Sequence, residues 1–219
     1  MDFAKARINM VDGQLMTGGV IDRRVLQVFG SVPRERFLPP SQRGLAYLDM
    51  DVRLAGSGRY LMEATPLARL VHLAAIVPGD VVLEVGCASG YGTMVLSKLG
   101  GSVVGLESDP DLASQADREL SALEVSNAAI VVGPLEKGWA SEGPYDAILI
   151  AGSVEYIPDS FCEQLKEGGR LVAVIGTGRA AQAVLHIKID GVLSARPAFD
   201  VAVPPLPGFQ RTHQFAFPG

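Results

Sequence analysis

The twelve residues Val81-Val82-Leu83-Glu84-Val85-Gly86-Cys87-Ala88-Ser89-Gly90-Tyr91-Gly92 leave this chain few folds to choose from. A run of β-branched and apolar residues enters a turn of small residues, and a helical pattern follows. That order describes a buried parallel strand, a tight loop and a helix N-terminus. Gly86 and Gly90 let the backbone approach a ligand and take dihedral angles that other residues resist. The helix start behind them presents free N–H groups to a polar or anionic group. The next apolar run, Ser102-Val103-Val104-Gly105-Leu106, ends in Glu107, 21 positions after Gly86. A spacing of ~20 suits an acid that holds ribose hydroxyls at the end of the second strand. The pattern reads as a nucleoside-cofactor cleft.

The loop fits the dinucleotide fingerprint poorly. Counted from Gly86, that template wants glycine at 88 and 91, where this chain has Ala88 and Tyr91. Glu84 at the strand end would repel a pyrophosphate but suits a cationic ligand. S-adenosylmethionine carries a sulfonium and an ammonium and no phosphate. Glycines at such a turn also serve packing alone, but here they coincide with Glu84 and Glu107.

Composition bounds the partners. The chain has 219 residues, enough for one α/β domain with an added segment. Its net charge of −5 and the scatter of its basic residues argue against a nucleic-acid partner. No apolar stretch reaches the ~18 residues of a membrane span, and Pro78-Gly79-Asp80 cuts the longest candidate. The N-terminus lacks the layout of a signal peptide. Cys87 and Cys162 are far apart and form no metal-type pair, which reads as a reduced, cytoplasmic setting. His72, His186 and His213 show no ligand spacing, and no metal site is expected.

Taken in order, residues 2–16 form an amphipathic helix ended by Thr17-Gly18-Gly19. Asp22 caps a second helix. A third runs over 63–77, with Pro66 in its first turn. From Val81, strands at 81–85, 102–106, 128–132, 145–150 and 170–175 alternate with helices at 91–99, 110–123 and 159–166, which implies a parallel sheet covered on both faces. Gly168-Gly169 turns into the fifth strand. Segments 183–189 and 198–203 read as a hairpin with Asp190-Gly191 at its turn. The proline-rich tail from Pro204 is expected over the surface, with a last strand at 213–217. The expected division is 1–77 as a helical segment carrying an acceptor-site loop and 78–219 as the nucleoside-binding domain.

Several segments resemble one family in order and spacing: Met10-Val11-x-x-Gln14-Leu15, Gly19-Val20-Ile21-Asp22, Val32-Pro33-Arg34-Glu35-x-Phe37-Leu38-Pro39, Ala46-Tyr47-x-Asp49, Glu84 to Tyr91, Gly138-Trp139 and Gly168-Gly169-Arg170-Leu171. Together they are similar to protein-L-isoaspartate O-methyltransferases over about residues 5 to 176. The resemblance implies an α/β, Rossmann-like class I methyltransferase. Its doubly wound, mostly parallel sheet has seven strands and an N-terminal helical segment. It implies S-adenosylmethionine as donor, S-adenosylhomocysteine as product, and the carboxylate of a damaged polypeptide as acceptor. It also implies a cofactor site of Glu84, Gly86, Cys87, Ala88, Ser89, Gly90, Glu107, Ser108, Gly133 and Pro134.

Three departures stand out. Where the family loop reads Gln-Thr-Ile-Ser-Gln-Pro, this chain has Arg59-Tyr60-Leu61-Met62-Glu63-Ala64. The serine at the methyl-transfer site is therefore Met62, and the threonine is Tyr60. Gly133-Pro134 stands where the family has Gly-Asp, and Ala88 stands where it has glycine. Tyr60, Leu61 and Met62 are the acceptor-pocket candidates, and no catalytic residue is singled out. Three functions stay open: repair methylation, a methyltransferase with a changed acceptor such as a small carboxylate, and a non-catalytic donor-binding homologue.

Overall fold

The computed structural model describes residues 2–54 and 56–211. Asp2 accepts a hydrogen bond from Lys5 N and caps α1, Phe3–Met10, which widens into a π-turn at Val11–Leu15. Asp22 caps α2, Arg23–Ser31, by accepting from the amides of Arg24 and Val25. Two residues each from β1, Val52–Arg53, and β2, Tyr60–Leu61, make a short antiparallel hairpin. Next comes α3, Ala64–Ala74, which Ala75 ends in a left-handed conformation at φ 47°.

The main sheet uses β3 (Val81–Val85), β4 (Ser102–Glu107), β5 (Ala128–Val132), β6 (Tyr145–Val154), β7 (Leu165–Ile175), β8 (Gln182–Ile189) and β9 (Val192–Asp200). Their order is β5-β4-β3-β6-β7-β8-β9. Strands β3 to β7 pair in parallel, while β8 and β9 add antiparallel partners at one edge. The alternation of β3 side chains explains why both faces need cover. Val82 joins a core with α3, α4 (Tyr91–Ser97) and α5 (Pro110–Ala122), together with the N-terminal helices. Leu83 and Val85 face the other way, onto Leu135, Phe161, Leu206 and Phe209. Each such side chain is worth about 1.5–3 kcal/mol when withdrawn from water. The expected doubly wound sheet of seven strands is therefore the fold. Among the described residues, no helix is long and apolar enough to cross a membrane.

Four expectations need correction. The helix at 159–166 shrinks to α6, Ser160–Glu163, because Leu165 already pairs with Tyr145 in the sheet. Gly168 and Gly169 therefore lie inside β7, at an irregularity in its pairing with β6. Strand β9 starts at Val192, not near 198, since the tight Asp190-Gly191 turn sets its register on β8. Most of β9 is exposed, so an apolar pattern could not reveal it. The tail does not run over the surface either. Leu206 and Phe209 are 1% exposed, and Pro205 bridges to Ser153 at the end of β6. The expected strand at 213–217 lies outside the described residues.

Candidate functional site

Strand order reverses between β3 and β6, so connections leave the carboxyl ends of these strands in opposite directions and open a crevice there. The loop from Gly86 to Gly90 lies at that point. Gly86 and Gly90 have φ of 83° and 91°, which explains the glycines. Ala88 shares this left-handed region at φ 50°, at a cost of about 1 kcal/mol. Its conformation turns its amide onto Glu107 Oε2 at 2.8 Å.

Glu107 is fully buried at the end of β4. Its Oε1 accepts from the amides of Ser108, 2.8 Å, and Asp109, 3.1 Å. The Ser108 hydroxyl is 3.2 Å from the same oxygen, and the Ser108 residue is exposed. Arg59 supplies the remaining donors: Nη2 to Oε2 at 3.1 Å and Nε to both oxygens at 3.3 and 3.4 Å. Arg59 Nη2 also donates to Gly86 O at 3.0 Å. The glycine loop and the acid at the end of β4 are thus joined, with an arginine between them. Nothing local in the sequence marks Arg59 for this role, because its partner lies 48 positions away.

Glu84 is also fully buried, and Thr93 Oγ1 donates to it at 2.5 Å. Burial first, and the nearby Glu107 carboxylate second, push its carboxyl up to about 7, against the pull of Thr93 and Arg59. Below about pH 7 the folded state therefore favours the protonated acid. Above the ordinary carboxylate value the charged form costs stability, and the cost grows until pH passes about 7, reaching roughly 3 kcal/mol. Glu84→Gln is expected to remove this dependence. In urea melts the variant should gain on the parent between about pH 5 and pH 8; parallel profiles would contradict the shift. Glu63 is raised into the same range, which is why the two proteins are compared rather than one curve read alone.

The other sequence candidates separate into two groups. Tyr60, Leu61 and Met62 line one small cavity with Glu84, Gly86, Cys87, Ala88 and Tyr91. Ser89 and Gly90 continue the loop, and Ser89 Oγ is buried without a hydrogen-bond partner among the described residues. Burial pushes the Cys87 thiol up, consistent with a packed rather than a reactive sulfur. Gly133 and Pro134 lie outside the cavity, at the end of β5. Gly133 N donates to Glu107 O at 3.0 Å, and Pro134 is exposed. Asp146 sits at the opposite end of the sheet, where it accepts from Val81 N and pairs with Lys166. Larger surface grooves, of about 520 Å³ beside Pro144 and Gln164 and about 560 Å³ beside Val103 and Asn127, share no lining residue with this cavity.

Two residues that the sequence reading left aside shape the site. Arg34 is fully buried. Its Nε donates to Ala46 O at 2.7 Å, its Nη2 to Met62 O at 2.5 Å, and its guanidinium lies 4.8 Å from the centre of the Tyr91 ring. It fastens the acceptor-side segment to the helix that follows the glycine loop. The Val-Pro-Arg segment flagged it only as part of a pattern. Leu206 arrives from the tail and covers Gly86 and Gly152, where any Cβ would come within 2.8 Å of it.

The donor set suits a nucleoside. A buried carboxylate at a strand end can accept from two vicinal hydroxyls, and the loop below it has almost no side chains to obstruct a sugar. The space directly above Gly86 is taken by Arg59 Nη2 and Leu206.

Comparisons with known proteins agree. A family model described as Protein-L-isoaspartate(D-aspartate) O-methyltransferase (PCMT) matches residues 6–207. The protein-L-isoaspartate O-methyltransferase of Roseiflexus sp. (strain RS-1) is 36% identical over 209 residues, covering 95% of this chain and 94% of that protein. Protein-L-isoaspartate O-methyltransferase 2 of Anaeromyxobacter sp. (strain Fw109-5) is 40% identical over 166 residues, covering 76% and 68%. A solved protein-L-isoaspartate O-methyltransferase superposes with a TM-score of 0.80 at 27% identity, over 92% of this chain and 66% of that one. A Plasmodium falciparum structure in complex with S-adenosyl-L-homocysteine shares the fold, with a TM-score of 0.75 at 22% identity over 91% and 97%. By sequence, by fold and by the acid and glycine loop at the switch point, this chain belongs to the protein-L-isoaspartate O-methyltransferase family of S-adenosylmethionine-dependent enzymes.

Proposed function

We propose that the protein methylates a carboxylate of a damaged polypeptide, an isoaspartyl residue being the acceptor. The observation that supports this best is the shared cavity. Tyr60, Leu61 and Met62 meet Glu84, Gly86 and Ala88 there, which supports an acceptor segment beside the donor loop. When bound, S-adenosylmethionine supplies an electrophilic methyl on a sulfonium. Glu107 would hold its ribose hydroxyls, with Ser108 beside it. Gly86, Cys87, Ala88, Ser89 and Gly90 would form the floor, Ser89 offering its unpaired hydroxyl. Glu84 would face the positive charge, and Gly133 and Pro134 would border the base.

The acceptor needs no general base, because a carboxylate with a reference value near 4 is ionised at neutral pH. Catalysis then rests on alignment and on exclusion of water. The buried, largely apolar wall of Leu61 and Met62 suits exclusion, while Tyr60 brings the segment's one hydroxyl. In this reading residues 1–77 carry the acceptor side and 78–219 the donor side, in a cytoplasmic protein. Both cysteines are free thiols.

The test is incubation of an isoaspartyl peptide with methyl-labelled donor. Base-labile methyl incorporation is expected. Methylation of a small carboxylic acid with none of the peptide would favour a changed acceptor, a reading motivated by the 7% exposed Met62 in place of a hydroxyl-bearing residue. Binding of the donor without turnover on either would favour a non-catalytic homologue. Met62→Ser is expected to raise kcat on the peptide by about tenfold, since a positioned donor contributes on that order or more. An unchanged kcat would remove Met62 from the acceptor site.

A further inference from the structure

The crevice at the switch point is filled from within. Arg59 is 7% exposed, yet it follows the turn Gly56-Ser57-Gly58, whose two glycines are exposed and have φ of 85° and 69°. The strands flanking that turn pair over only two residue pairs, Val52 with Leu61 and Arg53 with Tyr60. Leu54 N also donates to Arg59 O at 2.9 Å, so withdrawal of the turn breaks this contact and the Arg59–Glu107 pair together, and that step is what the donor must overcome. The Arg59 guanidinium spans both oxygens of Glu107 and the carbonyl of Gly86. The cavity left beside the loop measures about 20 Å³, room for about one water. Ligand pockets run to about 300 Å³ or more.

Resting on the donor reading above, we propose that Arg59 is an internal competitor for the donor and the residue that sets its affinity. The guanidinium neutralises Glu107 at the place the ribose hydroxyls need, so the donor enters as Arg59 and the Gly56-Ser57-Gly58 turn before it withdraw. Two independent features point the same way. The competing groups are chemically equivalent, since N–H donors and ribose O–H donors both require the Glu107 oxygens. The donor is also a cation, and a buried guanidinium in its cleft adds like charge to the entry step. Apparent affinity is then reduced by the fraction of molecules whose turn is withdrawn.

Calorimetric titration of the full chain with S-adenosylhomocysteine tests this against Arg59→Gln. The variant is expected to bind about tenfold tighter or more, while its ligand-free Tm falls through loss of the ion pair. Glu107 keeps the amides of Ala88, Ser108 and Asp109 in that variant, so the site itself persists. A merely structural arginine would move Tm and leave affinity alone or weaken it. Equal or weaker binding by Arg59→Gln therefore overturns the proposal and leaves the donor reading standing. Binding by neither protein overturns the donor reading and the proposal with it. Should Arg59→Gln not fold, Arg59→Lys takes its place. A lysine loses the fork across both oxygens, so tighter binding supports the proposal and unchanged or weaker binding overturns it.

Discussion

Glu107→Ala is expected to abolish S-adenosylhomocysteine binding and to lower stability by about 3–5 kcal/mol. Both effects follow from one geometry. The Glu107 carboxylate is fully buried and collects donors from Ala88, Ser108, Asp109 and Arg59. Removing it leaves the 7% exposed Arg59 as a buried cation without its counterion, and it strands the amide of Ala88 in a left-handed turn. An uncompensated buried charge is the larger penalty. Glu107→Gln keeps the volume and one acceptor, so it should fold better yet bind no better than weakly. Urea denaturation and calorimetry on both variants are the measurements. If Glu107→Ala binds like the parent, the ribose assignment is wrong; if it melts like the parent, the Arg59 pair contributes nothing.

Arg34→Ala is expected to cost roughly 3–5 kcal/mol as well, and to damage turnover more than donor binding. The side chain is large and wholly inside the core. Its loss opens a cavity against Tyr91 and leaves the carbonyls of Ala46 and Met62 without their donor. Burying a guanidinium is itself unfavourable, and burial lowers its pKa, which offsets part of the loss. Arg34→Met refills the volume without restoring either hydrogen bond. It should recover part of the stability and little of the turnover. The functional split follows from position. Arg34 touches the backbone of Met62 on the acceptor side, and it reaches the donor loop only through the ring of Tyr91. A rise in peptide KM or a fall in kcat, with S-adenosylhomocysteine affinity preserved, would confirm that role. Equal loss of both would make Arg34 a general core residue.

Much of this architecture was legible in the linear order of residues. The β3 and β4 runs, the glycines at 86 and 90 and the acid at 107 carry local signals, namely apolar periodicity and left-handed dihedral demands. The helix start at Asp22 was equally local, since a short side chain caps amides two or three positions ahead. Failures came where pairing outweighed pattern. Strand β9 is exposed along most of its length and exists because β8 offers it a ladder. Helix α6 yields to β7 because Leu165 gains a sheet partner. The tail looked like surface loop because prolines cannot extend a strand, yet Leu206 and Phe209 bury themselves beneath β6 and α6.

The residues in order determined a doubly wound sheet with a glycine loop after β3 and an acid, Glu107, at the end of β4. Only the folded chain decided who holds that carboxylate. Arg59 reaches it across 48 positions, and Leu206 closes over the same glycine from the far end of the chain. Periodicity and dihedral preference act over a few residues, so they can be read along a line. A buried charge selects its partner by proximity in space, and that choice belongs to the tertiary fold.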